Sequence, residues 1–229
     1  SVAYPKMDCQ TNVMGTLTLL QGCRIAGVGR FVFASSGAPL GVQTPPLHEE
    51  MAPHPASPYG ASKLAGEGYC SAYYHCFGIE TVVLRIFNAY GTPLGAPSSH
   101  PPVIPHMARQ ILSGASIVLH GAPPGSQTRD FVHVDDVVEA LVRATTLVGI
   151  SGGTFNIGSG VETSLVELVA ALERASGLRA RLIESPEQSG GVARLSADIA
   201  AARRALGWSP SVSLEAGLRR LITDLRRGP

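Results

Sequence analysis

Two short apolar runs, each placed after a segment with helical spacing, constrain the fold of this chain more than any other feature. The first is "RFVFASS" at residues 30–36, and the second is "TVVLRIFN" at residues 81–88. An unbroken apolar run of this length is typical of a strand buried on both faces, as in a parallel sheet covered by helices. Helices are expected before each run, over residues 10–26 and about 59–76. The alternation predicts an α/β fold with a doubly wound parallel sheet.

The character of the chain changes after Gly91, where "YGTPLGAPSSHPPVIPHM" is rich in Pro, Gly and Ser. This composition suggests a crossover into a second region above the carboxyl edge of the sheet, which is where such sheets bind ligands. Beyond it, helices are expected near 103–113 and 134–146. Ser164 and Glu167 form a capping box that opens a further helix, and Ser213 caps the last one.

Composition excludes several classes of function. The formal net charge is +1, and the 18 Lys and Arg residues are scattered, so neither nucleic acid nor an anionic membrane is an expected partner. No apolar run approaches the roughly 20 residues needed to cross a bilayer, and no signal core is visible, so we expect a cytoplasmic protein. The four cysteines lack a C-x-x-C spacing and are expected as thiols, and the histidines lack a metal-binding spacing, so no metal is expected.

The stretch "SPYGASKLAGE" sets Tyr59 and Lys63 four positions apart. On a helix this spacing places both on one face, so they can touch the same ligand. A phenol acting as a base at neutral pH needs its pKa lowered by roughly three units, worth about 4 kcal/mol. An ammonium about 4 Å away supplies an amount of that order. Taken alone, however, the pair is more often two polar side chains on a surface.

The second polar feature is Ser35 and Ser36, at the carboxyl end of the first apolar run. Two serines before a glycine also serve simply to end a strand in a turn. Together with Tyr59, Lys63 and the neighbouring strand end "RIFN", they place a hydroxyl, a phenol and an ammonium on adjacent strand ends. That combination indicates an acid–base site.

At this point the sequence resembles the extended short-chain dehydrogenase/reductase family, and within it the nucleotide-sugar epimerases of the UDP-glucose 4-epimerase type. The resemblance runs in family order over nearly the whole chain. It rests on the stretches "NVMGTLTLLQGCRIAGVGRFVFASSG", "SPYGASKLAGE", "LRIFNAYG", "QTRDFVHVDDVVEAL", "TFNIGSG" and "ADIAAARRALGWSPSVSLEAGL".

The resemblance implies a reaction and a role for three residues. In such enzymes a tyrosine exchanges a proton with the sugar 4-hydroxyl while a hydride moves between sugar C4 and the nicotinamide of NAD. Tyr59 would be this acid and base, and Lys63 would lower its pKa and hold the nicotinamide ribose. Ser36 would hydrogen-bond the reacting hydroxyl and work with the phenol as an acid–base relay.

The resemblance also implies binding residues, domains and a partner. Asn12 and Phe87 would touch NAD, and Asn88 and Arg129 would grip the nucleotide diphosphate of the sugar substrate. Residues 1–90, with 131–147, would be the C-terminal part of a Rossmann-like NAD-binding domain, and residues 91–130 and 148–229 a smaller substrate-binding region. A homodimer would form through the helices near 10–26 and 59–76.

The sequence departs from the family pattern in several places. The strand, G-x-x-G-x-x-G turn and helix that open a complete member are not found, so we expect a sheet lacking its N-terminal units. Gln188 stands where an arginine usually helps bind the diphosphate, and Leu40 where a tyrosine is common. The loop before Arg129 is lengthened by Pro123 and Pro124. These departures leave the sugar open.

Three hypotheses remain at this stage. The first is an NAD-dependent nucleotide-sugar epimerase. The second is a truncated, inactive Rossmann remnant that acts at most as a binding module. The third is a nucleotide-sugar dehydratase, which is disfavoured because "ASSGAPLG" lacks the Asp-Glu pair that the related dehydratases carry after their hydroxyl residue.

Overall fold

A computed structural model of the chain describes residues 1–91, 102–186 and 192–227, and it has an α/β architecture. The helices are α1 Pro5–Cys9, α2 Gly15–Ala26, α3 Pro58–Phe77, α4 Val103–Ser113, α5 Val134–Thr146, α6 Leu165–Ser176, α7 Ala200–Leu206 and α8 Leu214–Arg227. The strands are β1 Arg30–Ser36, β2 Glu80–Ile86, β3 Asn88–Tyr90, β4 Ser116–His120, β5 Thr128–Arg129, β6 Phe131–His133, β7 Thr154–Ile157, β8 Thr163–Ser164 and β9 Arg181–Ser185.

The main sheet has the strand order β1-β2-β7, and both pairings are parallel. Side chains of β2 alternate between its two faces, as the period of two in a strand requires. Val83 packs with Leu20 and Cys70 of α2 and α3 on one face, whereas Val82 and Leu84 pack under α5 and α7 on the other. The sheet is therefore covered on both faces, as a doubly wound fold predicts.

β1 and β2 differ in burial because of their places in the sheet. β2 lies between two strands, and its residues 81–85 are all buried. Within the described residues β1 pairs only with β2, and its Ala34 is exposed while Phe33 and Ser35 are buried. The expected burial of "RFVFASS" on both faces thus holds for part of the strand only.

Three smaller strand pairs complete the structure: β3 with β6 and β4 with β9 are parallel, and β5 with β8 is antiparallel. A separate core lies among α4, α6, α8 and β4, and its fully buried side chains include Ile117, Leu168 and Leu218. The elements of this C-terminal core come from residues 103–227, and the division into an NAD-binding domain and a substrate-binding region stays a prediction.

The structure differs from the expected domain division in one respect. Residues 148–229 were expected in the substrate-binding region, but β7 hydrogen-bonds to β2 in the main sheet. Leu206 and Trp208 are fully buried in the core under α5, where the Trp208 indole donates to the Asp136 carbonyl at 2.9 Å. Because β7 pairs with β2 and residues 197–208 pack in the core beside it, both segments belong with the main sheet. The substrate-binding role of the other residues stays a prediction.

Local signals at the helix ends act as their residue types predict. Gly27 ends α2 in the left-handed conformation, at φ 67°, which a glycine adopts without steric cost. Ser57 caps α3, and Ser164 and Glu167 form the full capping box of α6. The first helical segment begins earlier than expected, at Pro5, and a π-helical turn at Gln10–Met14 joins α1 to α2.

No helix in the described ranges is both long enough and apolar enough to cross a bilayer.

Candidate active site

The site begins where β1 ends and α3 starts. Ser36 is the last residue of β1, and Tyr59 is the second residue of α3. The Ser36 hydroxyl lies close enough to the Tyr59 phenol to lower its pKa by hydrogen bonding. The same hydroxyl accepts a hydrogen bond from the Ala38 backbone amide at 3.2 Å. Tyr59 is 36% exposed, so a ligand can reach the phenol from solvent. The two side chains thus lie next to each other at the carboxyl edge of the sheet.

Lys63 lies one turn along α3 from Tyr59. Its Nζ atom is 5.8 Å from the centre of the Tyr59 ring, and it donates to the Ala34 carbonyl at 2.9 Å. Burial raises the pKa of Tyr59, a partner hydroxyl at Ser36 lowers it, and the negative charge of Asp8 raises it. The pKa of Tyr59 is raised overall, and its lowering by Lys63, which the family resemblance implies, stays a prediction.

Asn12 lies in the π-helical turn and contacts α3 through its amide. Its Nδ2 atom donates to Ser62 Oγ at 3.1 Å and to Asp8 Oδ1 at 3.2 Å. Ser62 in turn donates to the Tyr59 carbonyl at 3.0 Å. π-helical turns occur often at functional sites. Asn12 is therefore linked to the Tyr59 backbone through Ser62, and no hydrogen bond between described residues joins it to the phenol.

Phe87 and Asn88 follow the neighbouring strand β2 at the same edge. Phe87 is buried, and its ring lies against Gly37, where an added Cβ atom would meet it at 3.0 Å. The backbone amide of Asn88 donates to the Asp130 carbonyl at 3.0 Å. Its side-chain Oδ1 is buried and has no partner among the described residues. A buried polar atom of this kind is left for a ligand or for water.

The carboxylate of Asp130 organises the loops beside Asn88. This side chain is fully buried and accepts hydrogen bonds from four groups: the Ser159 amide and hydroxyl at 2.6 Å each, and the Gly160 and Ala197 amides at 3.0 Å. Burial raises the pKa of Asp130 and these hydrogen bonds lower it. Asp130 thereby fixes the backbone next to Arg129.

Arg129 is a half-buried cation that makes no ion pair within the described part of the chain. Its guanidinium donates to the Thr128 carbonyl at 2.7 Å and, more weakly, to Ala193 and Gln127 at 3.4 Å. Burial lowers the pKa of Arg129. A guanidinium without a carboxylate partner suits a phosphate group, which it can bind through two N–H groups. No contact joins Arg129 or the Asn88 side chain to Ser36, Tyr59 or Lys63 in the described ranges.

Glu162 and Arg194 form a two-bond ion pair beside Arg129, with both N–O distances at 2.7 Å, and Thr128 donates to the same carboxylate. Hydrogen bonding to Arg194 lowers the pKa of Glu162 to about 2 from an ordinary 4.5. A lowered pKa stabilises the fold above pH 4.5, and this contribution is lost as the pH falls toward 2.

We therefore expect Arg194→Gln to lower the free energy of unfolding at pH 7, and the difference from wild type to shrink between about pH 4.5 and 2. Urea denaturation at a series of pH values measures this. A difference that stays constant over that pH range would contradict the assignment.

One of the two substituted family positions, Leu40, can be located in the structure. Leu40 is the last residue of the 3₁₀ turn at Ala38–Leu40, and it is fully buried in the core under α5, so it packs there rather than facing the site. Gln188 lies outside the described residues.

Sequence reasoning did not find a buried polar network behind the site. Ser35 donates to Glu67 at 2.5 Å, and Arg85 binds the same carboxylate through two atoms at 3.0 and 2.7 Å. All three side chains are buried, with exposed fractions of 4%, 8% and 5%. Glu67 lies four residues after Lys63, and this spacing was the available signal. The network joins α3 to β1 and β2 next to Ser36.

The residues present also fit a dinucleotide on one side of the site. Ala34 supplies the only acceptor for the Lys63 ammonium among the described residues, so two N–H groups remain for ribose hydroxyls. Phe87 follows the carboxyl end of β2, and Tyr59 lies next to Ser36 at the carboxyl end of β1, which is the edge where parallel sheets bind such ligands.

Comparison with known proteins agrees with this geometry. The sequence model of the NAD dependent epimerase/dehydratase family matches residues 1–158. A UDP-glucose 4-epimerase of Mycolicibacterium smegmatis is 38% identical over 229 residues, which are 99% of this chain and 72% of that protein. A UDP-glucuronate 4-epimerase of Thermodesulfobacterium geofontis is 31% identical over 224 residues, or 97% of this chain and 67% of that protein.

Solved structures show the same similarity. The crystal structure of a UDP-glucose 4-epimerase from Thermotoga maritima with UDP-glucose has a TM-score of 0.91 and 34% identity, covering 99% of this chain and 73% of that one. A UDP-glucose 4-epimerase of Thermus thermophilus in complex with NAD has a TM-score of 0.88 and 33% identity, covering 100% of this chain and 74% of that one. These similarities confirm the Rossmann-like fold expected from the sequence.

Proposed function

We propose that this chain, which belongs to the NAD dependent epimerase/dehydratase family, carries the proton-transfer and sugar-binding residues of a UDP-sugar 4-epimerase. The observation that carries the proposal is the relay of Ser36 and Tyr59 beside Lys63 at the carboxyl edge of a parallel sheet. Relatives named as 4-epimerases of UDP-glucose and UDP-glucuronate support the reaction type.

In the proposed mechanism Tyr59 takes the proton of the sugar 4-hydroxyl as C4 is oxidised to a ketone. The keto sugar then turns in the site, and Tyr59 returns a proton to the 4-oxygen as C4 is reduced on its other face. Ser36 hydrogen-bonds both the sugar 4-oxygen and the Tyr59 phenol, which aligns the two groups for proton transfer. When bound, NAD would supply the reversible hydride transfer at sugar C4. Lys63, Asn12, Tyr59 and Phe87 are the residues proposed to hold this cofactor.

The nucleotide diphosphate is proposed to bind at Arg129 and Asn88. Arg129 offers a positive charge that no carboxylate of the described residues neutralises. The side-chain oxygen of Asn88 is buried and has no partner among those residues, and a flip of the side-chain amide would present its NH₂ group to a ligand instead. The sugar itself stays open, because neighbouring structures contain UDP-glucose, UDP-glucuronic acid and UDP-N-acetylmuramic acid.

A homodimer through α2 and α3 is proposed as well. Both helices present apolar side chains to solvent: Leu19 and Ile25 of α2 are 61% and 79% exposed, and Tyr69 of α3 is 36% exposed. Burying such a pair of helices against a second copy would form a four-helix interface. Light scattering at micromolar concentration tests this, and a monomer would contradict it.

The first experiment on function determines NAD in the purified chain, after its intact mass has been checked. Released nicotinamide dinucleotide is quantified by chromatography, and conversion of UDP-glucose to UDP-galactose is followed in the same preparation. Bound NAD with conversion supports the epimerase. NAD with a 4-keto-6-deoxy product would favour a dehydratase, and a chain that neither holds nor binds added NAD would favour the inactive binding module.

A further inference from the structure

Three elements meet at one buried carboxylate, beside the residue that precedes Ser36. Ser35 of β1 and Arg85 of β2 are partners in the parallel pairing, so their side chains lie side by side on one face of the sheet. Both bind Glu67 of α3: the Ser35 hydroxyl donates to Oε1 at 2.5 Å, and Arg85 donates to the two oxygens at 3.0 and 2.7 Å. Because Arg85 binds both oxygens, the carboxylate is held in one orientation.

α3 lies against the end of β1 at very short range. A Cβ atom at Gly66 would lie 2.5 Å from the Phe33 ring, and one at Gly60 would lie 2.7 Å from the Ala38 carbonyl oxygen. Close-packed interiors transmit strain, because neighbouring groups have no free space into which they can move. A shift of α3 along β1 is therefore passed on to the side chains at the end of the strand.

The hydrogen bond from Ser35 to Glu67 fixes the end of β1 where the backbone pairing is one-sided. Within the described ranges β1 pairs only with β2, so no second ladder there holds the strand in place. The next residue, Ser36, ends the strand and lies beside the Tyr59 phenol. Displacing Ser35 from Glu67 therefore moves the Ser36 hydroxyl relative to that phenol.

We propose that Ser35 and Glu67 are positioning residues, because their hydrogen bond ties the end of β1 to α3. The tie holds the Ser36 hydroxyl opposite the Tyr59 phenol. This inference rests on the proposed function, in which these two groups transfer the proton. Its test reads the phenol in the chain without substrate, so the inference can fail while the proposed function stands.

The NMR signal of the Tyr59 ring tests the proposal. Protein labelled with 13C at tyrosine Cζ gives signals from the six tyrosines of the chain, and Tyr59→Phe identifies the one to follow. A phenol oxygen both donates and accepts hydrogen bonds, and the Cζ shift responds to the loss of one. Ser36→Ala removes the partner hydroxyl and gives the full effect. We expect Ser35→Ala to move the Tyr59 signal in the same direction.

Thr81→Val is the matched control. Thr81 of β2 is as buried as Ser35, and its hydroxyl donates to the Cys70 carbonyl of α3 at 3.0 Å. The substitution also removes a buried hydroxyl that ties a strand to α3, but at the amino end of β2, away from Ser36. It should leave the Tyr59 signal unchanged. If Ser35→Ala does not fold, Ser35→Cys, which has a much weaker donor, is measured instead.

Three outcomes would overturn the inference. An unmoved Tyr59 signal in the folded Ser35 variant, with a moved one in Ser36→Ala, would do so and leave the proposed function standing. Equal movement in Ser35→Ala and Thr81→Val would show that any loosening of α3 has the same effect. An unmoved signal in Ser36→Ala would mean that the hydroxyl and the phenol do not interact, which would overturn the proposed function as well.

Discussion

Replacing Tyr59 by phenylalanine is expected to lower the rate of UDP-sugar 4-epimerisation by roughly 10²–10⁴-fold, the usual contribution of a general acid–base group. The phenol hydroxyl is the only group that the substitution removes, and it is the group proposed to exchange a proton with the sugar 4-hydroxyl. The rate is measured as the interconversion of UDP-glucose and UDP-galactose, and circular dichroism checks the fold.

Tyr69→Phe is the matched control for this experiment. Tyr69 lies on the same helix and has the same exposed fraction, 36%, but it lies outside the polar group around Ser36. It should keep the wild-type rate. If Tyr59→Phe also kept that rate, the acid–base role of the phenol would be wrong.

The largest effect on stability is expected from Glu67→Gln, which should lower the free energy of unfolding by about 3–5 kcal/mol. The substitution leaves the buried Arg85 guanidinium without a counter-charge among the described residues. There Arg85 binds Glu67 through two atoms and otherwise only the Glu49 carbonyl at 3.3 Å. A buried cation that loses its partner carries its full desolvation cost. Urea denaturation monitored by Trp208 fluorescence measures the change.

An exposed ion pair on α5 supplies the comparison. Glu139 and Arg143 form a pair at 2.7 Å, four residues apart, with side chains that are 43% and 38% exposed. Glu139→Gln should cost no more than about 0.5 kcal/mol, because solvent screens such pairs. Equal losses for Glu67→Gln and Glu139→Gln would show that burial does not set the strength of the Arg85–Glu67 pair.

Much of the site could be predicted from the sequence, because its signals are local. The spacing of Tyr59 and Lys63 places both on one helical face, and a strand that ends in serines places Ser36 beside them. The doubly wound sheet followed from helical and apolar segments in alternation. Each of these features depends on a few neighbouring residues whose geometry is fixed once the element forms.

Features that depend on contacts between distant segments could not be predicted in this way. Asp8 and Glu67 each precede or follow a site residue by four positions, but acids at this spacing are common on helix surfaces. Only the packing of α1 and β2 against α3 turns them inward. The place of β7 in the main sheet likewise follows from its pairing with β2, which no local pattern records.

The Asp130 clamp has a consequence for how this architecture can vary. Gly160 and Ala197 are tied to one carboxylate, so the 36 residues between them, 161–196, leave the sheet and return to almost the same point. The excursion carries α6 and β9, which pack with α4, α8 and β4, so it is anchored both at Asp130 and in the C-terminal core. Arg194 and Gln188 lie inside the excursion, whereas Ser36, Tyr59 and Lys63 lie outside it. A substitution at Arg194 can therefore alter the loops beside Arg129, through Glu162 and Thr128, without touching the residues proposed to transfer the proton.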